Sequence, residues 1–273
     1  MTTTKEGPHA RWCRYNHDGI VSFGLVDGAT VDEVDGDPFT GYTRTGVQRP
    51  LAELQLLTPC VPPTFYCAGL NYKAHIEWGE RRRNARIPIP ERPDISYRAQ
   101  SALTPPNSPI VIPAASTGEV HYEGELVAVI GRTARHVSQA EALDYVLGYT
   151  IGNDVSERTW ARQDRTLWRA KNSDTFKPMG PWIQSGLDPT NLDVTVKVNG
   201  SVVSEFNTSA MIFNVAEYIS AISEYITLRP GDVIWTGTDG GTDRIAPGDV
   251  VEISVPGIGT LRNPVISEAV ASQ

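Results

Sequence analysis

The chain has 273 residues, a formal net charge of −8, 40% hydrophobic residues and 21% charged residues. That composition is ordinary for a soluble globular protein, and the length fits one large domain or one large and one small. The acidic balance argues against a nucleic-acid surface, which needs a basic patch, and no run approaches the ~18 apolar residues of a membrane span.

The segment Met1–Pro8 lacks the apolar core of a signal peptide. Residues 10–60 read as a small unit of short strands. Ile20–Val26 alternates loosely, and Asp27-Gly28 and Asp35-Gly36-Asp37-Pro38 supply turns. Ala52–Leu57 reads as a brief helix or strand. Pro59, Pro62 and Pro63 mark a connector, which divides the chain into a small N-terminal domain, residues 1–60, and a main domain, residues 61–273. The three cysteines, Cys13, Cys60 and Cys67, show no C-x-x-C spacing. They suggest neither a disulfide framework nor a zinc site, and a reducing cytoplasm fits best.

Phe65–Leu70 reads as a strand entering a loop, and His75 then lies on that Gly-containing loop. A histidine there can act as a general base near neutral pH or serve as a surface or capping residue. Glu77 could orient it only from an irregular backbone, since residues two apart do not face each other on a helix; Glu80 is the other candidate. Residues 79–109 are rich in Arg and Pro and read as irregular: a lid, a binding loop or a disordered segment. Their cluster Arg81-Arg82-Arg83, with Arg86, is either a solvated helix end or loop, or a gate for an anionic substrate.

The next run, Val120–Ile130, carries the most informative pair. In a strand, residues two apart share a face, so Glu123 and Glu125 point the same way, followed by Val127 and Val129. Leu126, Ala128 and Ile130 make the other face apolar, as in a strand buried on both sides; the alternative is an edge strand with both glutamates in water. Two buried carboxylates repel and lose hydration, and a hard divalent cation relieves both problems. Ser138-Gln139-Ala140-Glu141 is a capping box and predicts a helix start. Leu143–Val155 reads as a helix end followed by an apolar strand closing on Asn153-Asp154, which places Asp154 to complete a three-carboxylate site.

Lys171 follows, solvated or, beside a metal, able to stabilise an enolate or hold a carboxylate. Strands are expected at Thr195–Val198, Val202-Val203, Val233–Thr236 and Val250–Val255, with Asn199-Gly200 as a hairpin turn. Ile212, Val215, Ile219, Ile222 and Ile226 predict an amphipathic helix over Ala210–Leu228. Thr236–Thr242 is glycine-rich but is neither a P-loop nor a dinucleotide motif; turn chemistry explains it, as would backbone N–H groups closing on a small anion. The absence of G-x-S-x-G argues against a serine hydrolase.

The ordered set of Gly69-Leu70-Asn71-Tyr72 with His75, Tyr122-Glu123-Gly124-Glu125-Leu126, Gly148–Ser156, Lys171, Asp174-Thr175-Phe176, Gly180-Pro181-Trp182, Asn207–Phe213, Pro230–Ile234, Thr236-Gly237-Thr238, Pro247-Gly248-Asp249 and Gly257–Leu261 resembles the fumarylacetoacetate hydrolase family. The resemblance implies an α+β, mainly β fold: a mixed β-roll behind a small N-terminal strand-rich domain, in a homodimer. It implies Mg2+ or Mn2+ held by Glu123, Glu125 and Asp154, with His75, Lys171 and Glu77 as catalytic residues and Tyr72, Arg98, Gln163 and Thr238 against the substrate.

The chemistry implied is hydrolysis of a C–C bond in an acylpyruvate or related keto acid, in aromatic or keto-acid catabolism. Alternatives are isomerisation or tautomerisation of an unsaturated keto diacid, decarboxylation of an oxaloacetate-like acid, or non-catalytic binding of a small acid. The sequence departs from the family pattern where a substrate would be touched. Trp78 stands where a His-x-x-Glu dyad has its glutamate, Arg98 stands for a lysine, Ala161 for a glutamine with Gln163 nearby, and Asp239 for a proline. These departures leave the reaction type open.

Overall fold

In the computed structural model, residues 9–268 are described; Met1–Pro8, read above as free of a signal segment, and residues 269–273 lie outside them. Two large sheets carry the chain. The first has 12 strands, and its main path runs through Gly41–Pro50, Thr30–Asp37, Ile20–Asp27, Arg11–His17, Lys177–Gln184, Val146–Asn153, Gly124–Ile130, Val233–Trp235, Phe65–Ala68 and Ile95–Tyr97. The second has five: Ser201–Asn207, Asp193–Val198, Val250–Val255, Gly259–Ser267 and Ile110–Ile112. This is a mainly β, α+β fold with a strand-rich N-terminal segment. That segment joins the rest through its first strand, where Trp12 pairs with Ile183.

Gly124–Ile130 is buried at every position. Leu126, Ala128 and Ile130 enter a core shared with Val194, Val196, Ile253 and the helix residues Ile219 and Ile222. Val127 and Val129 enter a second core with Phe65, Cys67, Ile183 and Trp235. A strand covered on both faces needs no period-2 alternation. It also leaves Glu125 on an interior face.

Local signals explain several elements. Asn199 and Gly200 both take positive φ, and Val198 pairs with Ser201, the geometry of a two-residue hairpin with the right twist. The amphipathic helix is shorter than the periodicity implies, Val215–Tyr225. It starts where Asn214 and Glu217 form a reciprocal capping box, while Ile212 instead donates its N–H to Asn71 O. Ser138-x-x-Glu141 starts no α-helix. Its side chains bond at 2.6 Å within a turn, and only a short 3-10 segment, Ala142–Tyr145, precedes the strand; the apolar strand run from Val146 leaves no room to propagate a helix.

A helix at Lys73–Arg83 replaces the expected loop around His75 and the start of the expected irregular stretch. Ile76 is its buried residue, so it shows little apolar periodicity to read. It stops at Asn84 in the left-handed conformation, with Arg81, Arg82 and Arg83 in the last turn, where cations suit the helix dipole. The rest of 79–109 includes the strands Ile95–Tyr97 and Leu103–Thr104. No helix among the described residues is long and apolar enough to cross a membrane.

Candidate functional site

Asp154 follows the last residue of Val146–Asn153, and its N–H donates to Glu123 O at 2.8 Å. Glu123 lies just ahead of the strand Gly124–Ile130, its own N–H held by Asn153 Oδ1 at 2.9 Å. Glu125 is one step inside, paired with Gly152. Gly152 is required there because a Cβ would come within 2.5 Å of the Trp235 ring. All three carboxylates are buried, at 4%, 1% and 1% exposure for Glu123, Glu125 and Asp154.

Their surroundings differ. Asp154 receives Arg98 through Nε and Nη2 at 3.0 and 2.9 Å, Lys171 Nζ at 2.5 Å and Lys177 Nζ at 2.8 Å. Burial alone would raise its pKa, but Arg98, Lys171 and Lys177 outweigh burial and hold it well below the usual carboxylate range. Glu123 is bracketed by Arg158 Nη2 at 2.5 Å and Lys171 Nζ at 2.6 Å. Lys171 and Arg158 likewise overcome its burial and bring it down to about 2.

No basic side chain lies within ion-pair distance of Glu125 among the described residues. Its Oε2 accepts the Gly237 N–H at 2.8 Å, from a glycine at φ +89°. The glycine-rich turn thus closes on the chain's own carboxylate. Burial, then Asp154 and Glu123, push Glu125 up to about 8. One carboxylate of the three lacks a countercharge, and that is the property a divalent cation corrects.

The ligand atoms that converge are Cys67 Sγ, a Glu125 oxygen and an Asp154 oxygen, all within 4.8 Å of one another. Burial raises the Cys67 thiol well above its ordinary value, so it stays protonated and is a poor ligand. The usable donors are carboxylate oxygens, which fit Mg2+ or Mn2+. Glu123, expected as the third ligand, sits beside them with both oxygens on Arg158 and Lys171.

Lys171 projects from the short helix Trp168–Asn172, whose first turn is tied down by Asp164 accepting from the Arg169 and Ala170 N–H groups. Burial pulls Lys171 down, but Asp154 and Glu123 outweigh it, so it remains a cation. Lys177 and Arg158 belong to this cluster and carried no signal in the sequence. Lys177 is fully buried, donates to Val155 O and Phe176 O as well, and is drawn down to about 8 by burial against the pull of Asp154. Cys67 reaches the group because Phe65–Ala68 pairs in parallel with Val233–Trp235, a long-range pairing no local pattern encodes.

The remaining predicted residues separate. His75 lies on the Lys73–Arg83 helix with Nδ1 2.8 Å from Gly240 O and its ring stacked on Trp78, centroids 5.2 Å apart. Burial lowers its pKa below the ordinary 6.5. Glu77 falls on the exposed side of this helix, and Glu80 accepts the Ile87 N–H, so neither forms a dyad with His75. Arg98, expected against the substrate, is buried and engaged by Asp154, Ser96 and the Tyr97 carbonyl. Tyr72 and Thr238 are both buried, and Tyr72 lies near enough to Glu125 to feel its charge. Gln163 is exposed and accepts from Arg169, while its neighbours Ala161 and Arg162 line a cavity beside His75.

A family model described as "Fumarylacetoacetate (FAA) hydrolase C-terminal" matches residues 64–266, and one described as "Rv2993c-like, N-terminal" matches residues 10–59. A 2,4-didehydro-3-deoxy-L-rhamnonate hydrolase from Sphingomonas sp. (strain SKA58) is 40% identical over 88% of this chain and 81% of its own length. The crystal structure of a 2-hydroxyhepta-2,4-diene-1,7-dioate isomerase from Mycobacterium marinum superposes with a TM-score of 0.86 at 40% identity, over 96% of this chain and 100% of the other. A maleylpyruvate hydrolase from Sphingobium sp. SYK-6, solved with manganese(II) and pyruvate, gives a TM-score of 0.77 at 27% identity, over 95% and 100% of the two chains.

Proposed function

The chain belongs to the fumarylacetoacetate hydrolase family, and we propose that it is a divalent-metal-dependent isomerase or tautomerase that moves a proton within an unsaturated 2-oxo acid. The observation that carries this reading is the setting of His75. A carbonyl only accepts, so the contact with Gly240 O assigns the proton to Nδ1 and leaves Nε2 as a lone-pair acceptor. Its lowered pKa keeps the ring neutral near pH 7, ready to take a proton.

Mg2+ or Mn2+, held by Glu125 and Asp154 with Glu123 alongside, would polarise a keto oxygen and acidify the neighbouring C–H bond. Arg98 and Lys177 fix Asp154 in its ionised form. Lys171 offers a permanent ammonium to a substrate oxygen that gains electron density. His75 then accepts a proton at one carbon and returns it at another.

Activating water for C–C hydrolysis asks more of the base. An imidazole that does so is normally steadied by a carboxylate, whose loss costs of order 10⁴ in rate in triad enzymes. His75 is backed by a neutral carbonyl, with Trp78 rather than a carboxylate one turn on. Hydrolysis of an acylpyruvate is the second reading, favoured by the hydrolases among the relatives.

The test incubates metal-loaded protein with a 2-hydroxydienoate, an acylpyruvate and oxaloacetate, following the dienol absorbance and the products. A shifted double bond or keto tautomer at unchanged mass is expected. His75→Ala should lower kcat by about 10²–10⁴ and leave metal affinity intact. Two carbon fragments would establish hydrolysis instead. Full turnover in chelator would overturn the metal dependence, and binding without turnover of any of the three would overturn the enzymatic reading.

A further inference from the structure

Lys177 opens the strand Lys177–Gln184 and is fully buried, side chain included. Its Nζ meets Asp154 Oδ1 at 2.8 Å and donates to Val155 O at 3.0 Å and Phe176 O at 2.8 Å. Three acceptors account for the three N–H bonds of an ammonium. Lys177 therefore has no donor left for a ligand, and it reaches the site only through Asp154.

Asp154 does not depend on Lys177 for its orientation. Arg98 grips both carboxylate oxygens, with Nε on Oδ1 at 3.0 Å and Nη2 on Oδ2 at 2.9 Å, and this bidentate fork fixes the carboxylate plane. Lys171 adds a second ammonium on Oδ2. Without Lys177, Asp154 would still face two cations, so no buried charge would be left uncompensated.

What Lys177 adds is charge. Arg98, Arg158, Lys171 and Lys177 are paired with Glu123 and Asp154, and Glu125 is the third buried carboxylate of the group. Four cations thus face three carboxylates before any metal arrives. A divalent ion on Glu125 and Asp154 would have the Lys177 ammonium just behind the same carboxylate. Little water is present to screen that repulsion. The same excess of positive charge welcomes an anion.

We infer that Lys177 sets the site against a bare divalent cation, so that the metal binds tightly only together with an anionic ligand that chelates it. The inference rests on the proposed function for the nature of that ligand, a 2-oxo acid, whose carboxylate supplies the missing negative charge. The coupling is reciprocal: the anion tightens the metal by the factor by which the metal tightens the anion.

Mn2+ titrations of the full chain at pH 7, with and without pyruvate and followed by the paramagnetic resonance of the free ion, test it. Wild type should bind Mn2+ alone with a Kd weaker than about 10 μM, and at least about tenfold more tightly in saturating pyruvate. Lys177→Gln keeps donors for the carbonyls, and Lys177→Met keeps the length of the side chain. Each should tighten Mn2+ alone by about tenfold or more and shrink the effect of pyruvate. A residue that merely props Asp154 would behave otherwise: its loss would weaken Mn2+ in both conditions. Weaker or unchanged binding of Mn2+ alone by the variants would overturn the inference. So would a wild-type Kd tighter than about 10 μM for the ion alone, a measurement that does not require the variants to fold. Failure of pyruvate to bind the Mn2+-loaded wild type would instead sink the 2-oxo acid reading, while the titrations without pyruvate still decide the role of Lys177.

Discussion

The cluster around Asp154 and the Glu33–Arg49 pair of the N-terminal segment are built from the same chemistry in opposite surroundings. At the N-terminal pair, Arg49 Nε meets Glu33 Oε2 at 2.8 Å, with the two side chains 29% and 19% exposed. At the centre, Glu123, Glu125 and Asp154 are nearly sealed from water among Arg98, Arg158, Lys171 and Lys177. A sheet gains little from burying that many charges, since desolvation offsets most of the attraction and an apolar replacement is often as stable. The N-terminal pair adjusts stability slightly. The central cluster keeps charges ready, which is a demand of binding and catalysis rather than of folding.

The sharpest way to break this contrast is Asp154→Asn. It leaves Arg98, Lys171 and Lys177 without their shared partner in the interior. Removing one member of a buried pair costs about 3–5 kcal/mol, and metal-dependent turnover should fall at least ~10³-fold as a proposed ligand and the carboxylate that balances the surrounding cations are lost together. Denaturant unfolding and turnover measure the two effects. A stability change below ~1 kcal/mol would mean that the cluster is as loosely solvated as the N-terminal pair.

Glu125 gives a second separation, through pH. Its folded pKa, about 8, lies above the ordinary 4.5, so between these values the folded state holds a proton that the unfolded state has released. Its contribution to stability is therefore complete below about 4.5 and is lost as pH rises through about 8. Between pH 6.5 and 8 the metal-free wild type should lose stability relative to Glu125→Gln, at up to ~1.4 kcal/mol per pH unit. Mg2+ should cancel the loss, because it favours the ionised carboxylate. Parallel pH curves for the two metal-free proteins would show that Glu125 is ionised without a cation.

The two regions also differ in how far the sequence discloses them. Turn chemistry and β patterning are local, so the N-terminal strands and the Asn199-Gly200 hairpin are legible. Continuous apolar character likewise announces Gly124–Ile130 as an interior strand, and with it Glu125. The Lys73–Arg83 helix is not legible, because a half-exposed helix with one buried residue has no apolar stripe. That single element changes His75 from a loop residue into a helical one stacked on Trp78 and turns Glu77 away. Lys177 and Cys67 escape for another reason: their relation to Asp154 comes from strand pairings between distant segments.

The smallest expected effect lies at the N-terminal pair and completes the contrast. Glu33 accepts from Tyr15 Oη at 3.0 Å as well as from Arg49, and Arg49 is the main cause of its lowered pKa. Glu33→Gln keeps an acceptor for Tyr15 and removes only the charge. A partly exposed ion pair is weakened by solvent and salt, so Tm at pH 7 should fall by no more than about 2 °C. A carboxylate with a depressed pKa stabilises above its unfolded value, and that contribution disappears as pH falls through the folded pKa. The wild type and Glu33→Gln should therefore melt together in acid and in concentrated salt, and turnover should be unaffected at any pH. A Tm drop beyond about 5 °C, or a change in kcat, would instead couple the N-terminal strands to the carboxylate cluster through the shared sheet, by way of the Trp12–Ile183 pairing.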